Sequence, residues 1–539
     1  MNVLTNSNTP FSVLIRADAS PSIGSGHLTR MIALSSACRS SGADVTFISN
    51  EMPATLQKTI SETGCHHQRI DLPTGSTEDS AFTADYVSEG SFDWTILDGY
   101  QFDDAYQRRV GQPSTRLMVV DDFGHATHQY ANLILNQNAY ADRSRYSQLE
   151  STDVLCGLKH TLLRPEFHSV PLELPSRKNA RFSIRRILVT FGGGDVNDWT
   201  QATLRTLLEL KLATDSRTVA DVVIGANYTQ EKELAKFCRG AGMNVFIHRN
   251  VDRMDALMNQ ADIAITAGGS TCYELARTGV PAIAIATAEN QNAVVAALQE
   301  RGTLIGFSSD DHPISAKSAL SDEIKSAITK LVRNREQRQS MSEKGKQILD
   351  GLGAERVARK LHAGVISFRD ASPQDSKMLL DLRNDPAVRE VSFNQQVVTQ
   401  DEHERWLGQS LASPSRILWI PQDRSLQPLG RVQLDLSHNL LEATISIALD
   451  KRSRGRGIGP VVIEKATEMI LSDTGPLASV KRVVANIKPT NTLSCKAFEK
   501  VGFEFNAPAT VNEEIALRYV RRPDAAVSLE NPATARKSA

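Results

Sequence analysis

Twice in this chain a short β-branched run ends at a glycine-rich turn and passes directly into a helix-patterned stretch, and no other feature constrains the fold as much. Phe11–Arg16 reads as a strand, Thr29–Ser40 as a helix and Asp44–Ser49 as the next strand, with further strands at Trp94–Asp98 and Leu117–Asp121. The style restarts at Arg186–Phe191 and continues through Ala220–Ile224, Asn244–Ile247, Ile263–Thr266 and Ala282–Ile285. Strand–helix–strand alternation of this kind builds parallel βαβ units. Two doubly wound α/β domains in succession put a cleft between them, and ligands bind at the carboxyl ends of the strands that face it. Ser169–Arg185, rich in Pro, Ser and basic residues, reads as the linker, and Ser340–Ala363 as a charged helical stretch.

From Val365 the texture changes. A strand at Val365–Arg369 precedes helices at Lys377–Asn384 and Asp401–Leu411, and the runs Ile417–Ile420 and Gly430–Leu434 look antiparallel. The reading is a first domain over 11–170, a second over 184–363, a third over 364–522, and a disordered tail over 523–539.

Composition narrows the function. The 61 Lys+Arg against 62 Asp+Glu leave a net charge of −1, without the basic excess of a chain that grips nucleic acid by its phosphates. No run approaches 18 apolar residues, so no membrane span is expected, and the first residues lack a signal-peptide pattern. Six scattered cysteines without a C-x-x-C pair argue against a disulfide framework or a zinc cluster. A reducing cytoplasm is the expected compartment, and no metal is predicted.

The glycine turns carry the chemistry. Arg16-Ala17-Asp18 leaves the first strand, and Gly24-Ser25-Gly26-His27 enters the first helix. Amides at a helix start attract anions, and a histidine in that first turn can act as a general base near neutral pH, or can simply pack. In the second block Gly192-Gly193-Gly194 follows one strand, and Gly268-Gly269-Ser270-Thr271 opens the helix Cys272–Thr278. Amides and hydroxyls there form a diphosphate cradle, with Glu274 one turn on and Asn290-Gln291 on the same rim. The alternative is an ordinary glycine-capped turn.

The motifs RADAS…IGSGHLTR (Arg16–Arg30), LDGYQFD (Leu97–Asp103), VVDDFGH (Val119–His125), LILNQN (Leu133–Asn138), GLKHTLLRPEF (Gly157–Phe167), TFGGGD (Thr190–Asp195), ADIAITAGGSTCYE (Ala261–Glu274) and AENQ (Ala288–Gln291) occur in this order. In these the chain resembles the UDP-sugar hydrolases of pseudaminic acid synthesis. The resemblance implies the GT-B architecture, two facing Rossmann-type domains, and hydrolysis of the anomeric C1–O bond of UDP-2,4-diacetamido-2,4,6-trideoxy-β-L-altropyranose. It makes His27 the base and puts Tyr100 in the sugar pocket, with Arg16, Asp18 and Gly26 on the substrate side. UDP is expected at Gly193, Gly268, Gly269, Ser270, Thr271, Glu274, Asn290 and Gln291. Where the family often carries an aromatic before the LLRPEF segment, this chain has His160.

In the third block Arg454-Gly455-Arg456-Gly457-Ile458-Gly459 turns into the helix read over Pro460–Leu471, presenting amides and basic side chains suited to a pyrophosphate. Asn491-Thr492-Leu493-Ser494 runs on into Phe498-Glu499-Lys500-Val501-Gly502-Phe503. Together these resemble the GNAT N-acetyltransferases, an α+β fold. The resemblance implies acetyl-CoA as co-substrate, its pyrophosphate on Arg454–Gly459 and its pantetheine arm beside Asn491. Phe498 stands where many members have a tyrosine acid, and Glu442 and Glu404 are candidates for relaying the amine proton. Arg383-Asn384-Asp385-Pro386 and Thr399…Trp406-Leu407 resemble sugar-amine acetyltransferases of the same pathway, and ribosomal-protein acetyltransferases share the pattern. The expected whole is a bifunctional enzyme. Its rivals are a glycosyltransferase of the same fold whose C-terminal domain acetylates protein N-termini, or a UDP-sugar sensor without catalysis.

Overall fold

Leu14, Ile15, Phe47, Ile48, Ile96 and Leu97 are fully buried, as strands covered by helices on both faces require. The computed structural model describes residues 11–20, 24–111, 113, 115–168, 184–193, 195, 197–225, 228–249, 251–308, 320–472 and 477–523. Most of the expected linker, the expected tail from 524 onward, Ile23 and Gly194 lie outside the described residues.

Seven strands form the first sheet: β1 (Ser12–Ala17), β2 (Asp44–Ser49), β3 (His66–Arg69), β4 (Trp94–Asp98), β5 (Arg116–Val120), β6 (Leu133–Asn136) and β7 (Asp153–Cys156). Their order is β3-β2-β1-β4-β5-β6-β7, with every pairing parallel. A second all-parallel sheet comprises β8 (Arg186–Thr190), β9 (Val219–Ile224), β10 (Val245–Arg249), β11 (Ile263–Ala267), β12 (Ala282–Ala286) and β13 (Leu304–Ser308), in the order β10-β9-β8-β11-β12-β13. Both sheets belong to one unit, Ser12–Ala358. Leu163 and Phe167, past the end of the first sheet, pack into the second sheet's core with Tyr273 and Leu298. The helix Gly353–Val365 then returns so closely to the first lobe that a Cβ on Gly353 would fall 2.2 Å from the Thr161 carbonyl oxygen.

The other unit begins at Arg359 and includes Phe11. Its sheet is β14 (Ser367–Asp370), β15 (Arg416–Gln422), β16 (Gly430–Leu436), β17 (Glu442–Leu449), β18 (Arg482–Ile487), β19 (Glu504–Val511) and β20 (Glu514–Arg521), ordered β14-β15-β16-β17-β18-β20-β19. Only β17 and β18 run parallel, and they pair only over Glu442–Thr444 and Arg482–Val484. Beyond that point both strands continue unpaired with each other, to Leu449 and Ile487, which leaves a gap in the sheet's hydrogen bonding.

Boundaries differ from the sequence reading in two instructive places. The first helix starts at Gly26, ahead of the apolar periodicity, because its first turn is polar. The charged stretch 340–363 is parts of two helices, Arg335–Ile348 and Gly353–Val365, separated around Gly351 at φ +83°. β3, the polar edge strand His66-His67-Gln68-Arg69, offers no apolar run to read at all.

Candidate functional site

The first sheet reverses direction between β1 and β4: the chain builds outward to β2 and β3, then returns to the other side of β1. Loops leaving neighbouring strands at such a switch point diverge and open a crevice. His27, second residue of the helix Gly26–Ser40, comes from one loop, and Tyr100, just past β4, from the other. Their rings meet edge to face with centroids 4.9 Å apart.

Arg30 lies one turn further along the His27 helix. It reaches Asp98 at the end of β4 (Nε–Oδ2 2.7 Å, Nη2–Oδ1 2.6 Å) and Asp122 just after β5 (Nη1–Oδ1 2.9 Å, Nη2–Oδ2 3.1 Å). The Tyr100 hydroxyl donates to Asp122 Oδ2 at 2.9 Å, and Asn138 Nδ2 donates to Asp122 Oδ1 at 2.7 Å. Burial alone would raise the Asp122 pKa, but the Arg30 charge and these hydrogen bonds hold it at about 2. One guanidinium thus faces two carboxylates, leaving a buried surplus of one negative charge beside His27.

His27 is buried to 9% exposure, deeper than a residue at the mouth of a cleft, yet its electrostatic neighbours are Asp98, Arg30, Asp122 and His125 rather than apolar groups. Burial pushes its pKa below the ordinary value; the two aspartates pull it up, and Arg30 and His125 push it down. The imidazole is therefore neutral at pH 7. Its Nδ1 is sealed from solvent and has no hydrogen-bond partner among the described residues.

The second sheet switches between β8 and β11, and both of its predicted glycine turns sit there. Gly193 comes so near the first lobe that a Cβ on it would meet Ser25 Oγ at 3.5 Å. Gly225 must itself lack a side chain, since its Cβ would fall 2.4 Å from Gly193 Cα. At the other turn, the Gly268 amide donates to Ile285 O (2.9 Å) and Gln291 Oε1 (3.0 Å), and the same Oε1 accepts from Thr287 N (2.9 Å). Gln291 braces the loop from behind. Ser270 and Asn290 are exposed on its rim and Gly269 and Thr271 are half-buried. At the start of the helix Thr271–Thr278 the Cys272 and Tyr273 amides turn back onto Gly269 O and Ser270 O (3.0 Å each), which leaves the amides of Gly269–Thr271, ahead of them, as the ones placed to meet an anion.

Two contacts tie this turn to the first lobe. The Tyr273 hydroxyl donates to Asn138 Oδ1 (3.2 Å), whose amide holds Asp122. Glu274 receives Arg164 through both oxygens (2.8 and 3.0 Å) and is itself buried. Glu274, expected on the UDP side, is thus held in an ion pair with the segment that follows the first sheet. Arg16 and Asp18 are likewise inward: Arg16 pairs with Asp79 (2.9 Å) and Asp18 (2.7 Å), and Asp18 also accepts from Asn50 N, Glu51 N and Thr74 Oγ1. These two residues lock the end of β1 to its neighbours and lie outside the His27 cluster's hydrogen bonds.

Arg30, Asp98, Asp122 and Asn138 were not singled out from the sequence. The signal was present: a cation three residues after the histidine on one helix face, and carboxylates at the ends of successive strands. Among the described residues Asp121, His125 and His128 bring metal-ligand-type atoms within 4.8 Å of one another. Asp121 is already engaged, accepting from Gly124 N (2.7 Å) and the Tyr146 hydroxyl (2.7 Å), with His125 Nδ1 3.2 Å away. Burial opposes its ionisation, but these hydrogen bonds hold it well below the usual carboxylate range.

In the other unit, Arg454 donates to Leu449 O (2.9 Å) and Asp385 Oδ1 (3.0 Å), while Gly455, Arg456 and Gly457 are exposed. Gly455 and Gly457 both sit at φ +73°, which turns the chain into the helix Ile458–Ile470, so Gly459 is within the first turn and Ile458 is buried. Asn491 caps the helix Thr492–Lys500 by accepting from Ser494 N (3.1 Å), just beyond the β17–β18 gap. Phe498 is core, edge to face with Phe503. Glu442 stands at the far end of β17 from this loop, about 23 Å away at strand rise, and pairs with Arg482 (2.6 Å) and Arg518 (2.9 Å). Its carboxylate is thereby engaged by two guanidinium groups at the other end of the strand. Glu404 is exposed and accepts from Gln400 Nε2.

Comparison with known proteins agrees with this architecture. Residues 188–352 match the glycosyltransferase family 28 C-terminal domain, and residues 366–504 match the acetyltransferase (GNAT) domain. An uncharacterized protein of Methanocaldococcus jannaschii is 21% identical over 515 residues, spanning 93% of this chain and 99% of its own. The UDP-2,4-diacetamido-2,4,6-trideoxy-β-L-altropyranose hydrolase of Campylobacter jejuni is 24% identical over 298 residues, 54% of this chain and 97% of its own. The spore coat polysaccharide biosynthesis protein SpsG of Bacillus subtilis is 23% identical over 248 residues, 46% and 69% respectively. The fold is a GT-B-like pair of Rossmann-type lobes followed by an α+β GNAT-type domain. Among the described residues, no helix is long and apolar enough to cross a membrane.

Proposed function

We propose that the unit Ser12–Ala358 hydrolyses a UDP-linked diacetamido-trideoxy sugar, UDP-2,4-diacetamido-2,4,6-trideoxy-β-L-altropyranose, to UDP and free sugar in pseudaminic acid synthesis. The observation that carries the reading is a neutral imidazole, its Nδ1 without a partner among the described residues, beside a buried surplus negative charge and joined through Asn138 and Tyr273 to a glycine turn suited to a diphosphate. Water attacks the anomeric carbon, the C1–O bond to UDP breaks, and His27 takes the water proton. The imidazolium that forms balances the Asp98–Arg30–Asp122 surplus, so the network stabilises charge that appears only during reaction. The helix-start amides of Gly269–Thr271 meet the departing diphosphate, and Tyr100 lines the sugar side. General-base assistance contributes about 10²–10⁴-fold.

The unit from Arg359 transfers an acetyl group from acetyl-CoA to the 4-amino group of the UDP-aminosugar that precedes this substrate. The Gly455–Gly459 amides hold the pyrophosphate and the β17–β18 gap takes the pantetheine arm. The amine nitrogen attacks the thioester carbonyl, the C–S bond breaks, and the amine proton ends on the CoA sulfur. Joining the two activities raises the local concentration of the intermediate.

Mass spectrometry of the UDP-aminosugar incubated with acetyl-CoA and the full chain is the test. The expected result is a gain of one acetyl group followed by free UDP and free sugar. The match to a glycosyltransferase domain supports a second reading, in which the sugar passes to an acceptor; release of free sugar without any added acceptor rejects it. Stoichiometric binding without UDP release rejects catalysis in the first unit altogether.

A further inference from the structure

Two guanidinium groups in the unit from Arg359 hold one short loop, and a third on β16 lies within electrostatic reach of the first; among the described residues none of the three forms an ion pair of its own. Arg383, at the end of the helix Ser376–Asn384, donates from Nη2 to Asn394 O at 2.9 Å. Arg389, in the helix Pro386–Glu390, donates from Nε to Gln395 O at 3.0 Å. Consecutive carbonyls thus hold the two heads side by side, and Asn384 clamps the same loop through a two-way pair with Val398 (2.8 and 2.9 Å). Arg431 on β16 is the third. It lies 5.9 Å over the Trp406 ring and donates to Gln433 Oε1.

The acids nearby are already taken. Asp435 receives Arg416 (2.6 Å) and Gln433 Nε2 (2.8 Å), and Asp385 receives Arg454. Arg383 Nη1 is sealed from solvent and lacks a hydrogen-bond partner among the described residues. Burial first, and Arg389 next, lower the Arg383 pKa; burial and then Arg383 bring Arg431 down to about 10. Like charges confined this way repel one another, and a buried donor without an acceptor costs free energy. An anion relieves both. The planar fork of arginine fits phosphate oxygens two at a time.

We infer that Arg383, Arg389 and Arg431 form a site for a phosphate group of the acetyl acceptor. The inference rests on the proposal that this unit acetylates a nucleotide-linked aminosugar, and it names the groups that select for the nucleotide. Phosphates of acetyl-CoA are the other source of the same chemistry, since Asp385, between Arg383 and Arg389, touches Arg454 of the loop expected to hold CoA. The acceptor fits better: the CoA loop brings its own amides and Arg456, while Arg431 and Trp406 lie on the β16 side, away from the β17–β18 gap.

Steady-state acetyl transfer by the full chain, followed through thiol release, tests this with a UDP-aminosugar and its phosphate-free aminosugar as paired acceptors. The wild-type protein should prefer the UDP-linked acceptor. Arg383→Ala and Arg431→Ala should each raise its KM about ten- to a hundredfold, the range for a hydrogen bond to a charged group, and erase the preference. Arg383→Lys should recover part of it, which also shows that the fold survives substitution there. Equal losses on both acceptors would make the cluster a loop scaffold, and a rise confined to the KM for acetyl-CoA would assign it to CoA; either overturns the site. So does a wild-type protein indifferent to the phosphates. Absence of transfer to both acceptors rejects the aminosugar reading itself, and the site with it.

Discussion

His27 sits where three opposing influences meet, and its protonation follows from their balance. Burial favours the neutral ring, Arg30 adds to that effect, and Asp98 and Asp122 oppose it. Because the resulting pKa lies below 6.5, kcat/KM should stay level as pH falls from 8 to the model-peptide value and drop only beyond it. Asp122→Asn removes an influence that raises the pKa, so the acid limb should move to lower pH while kcat falls; an unmoved limb in a pH–rate profile would exclude His27 as the titrating base. His27→Asn should lower turnover by about 10²–10⁴-fold with UDP binding retained, measured by product chromatography and calorimetry. His27 was legible in the sequence from its place at a glycine-rich helix start, and Tyr100 from the family resemblance, but the charge balance was not. Arg30, Asp98 and Asp122 are separated by up to 92 positions and meet only when β1, β4 and β5 lie side by side.

At the scale of elements, the helix Gly353–Val365 shows how one buried side chain can set a pH limit. His362 stacks on Phe11 with centroids 4.5 Å apart, and burial pulls its pKa down to about 4. Between pH 6.5 and 4 the unfolded chain binds a proton that the folded chain refuses, so stability is full above 6.5 and is lost as pH falls through this window. The loss amounts to about 3 kcal/mol at the low end. His362→Phe should flatten that acid decline in denaturant titrations of the full chain; an unchanged slope would mean that the ring is solvated. Elements were legible wherever apolar periodicity was strong, as in β1, β2, β8 and β11. They were illegible where partners rather than propensity decide, as in the polar edge strand β3 and at the break near Gly351, which allows the helix Gly353–Val365 to turn back.

For the molecule as a whole, the two units have separate cores. Strands β1 to β13 build those of the first and strands β14 to β20 that of the second. Glu274→Ala would leave Arg164 with Glu166 alone (3.1 Å), a loss smaller than the roughly 3 kcal/mol of a fully orphaned buried charge. It should lower the melting transition of the unit Ser12–Ala358 and leave that of the other in place, resolved by calorimetry; a shift of both would show that the units unfold together. From its motifs and alternation, the amino-acid sequence by itself determined two parallel α/β lobes, a mixed third domain, and the glycine turns at which ligands are expected, because these are local patterns of spacing and residue type. Only the tertiary structure decided which charges share a buried site and which candidate ligands are held in ion pairs, since Arg16 and Glu274 meet partners remote in sequence and Arg383 lacks an acidic one among the described residues, and an electrostatic balance exists only after burial has removed the water that would screen it.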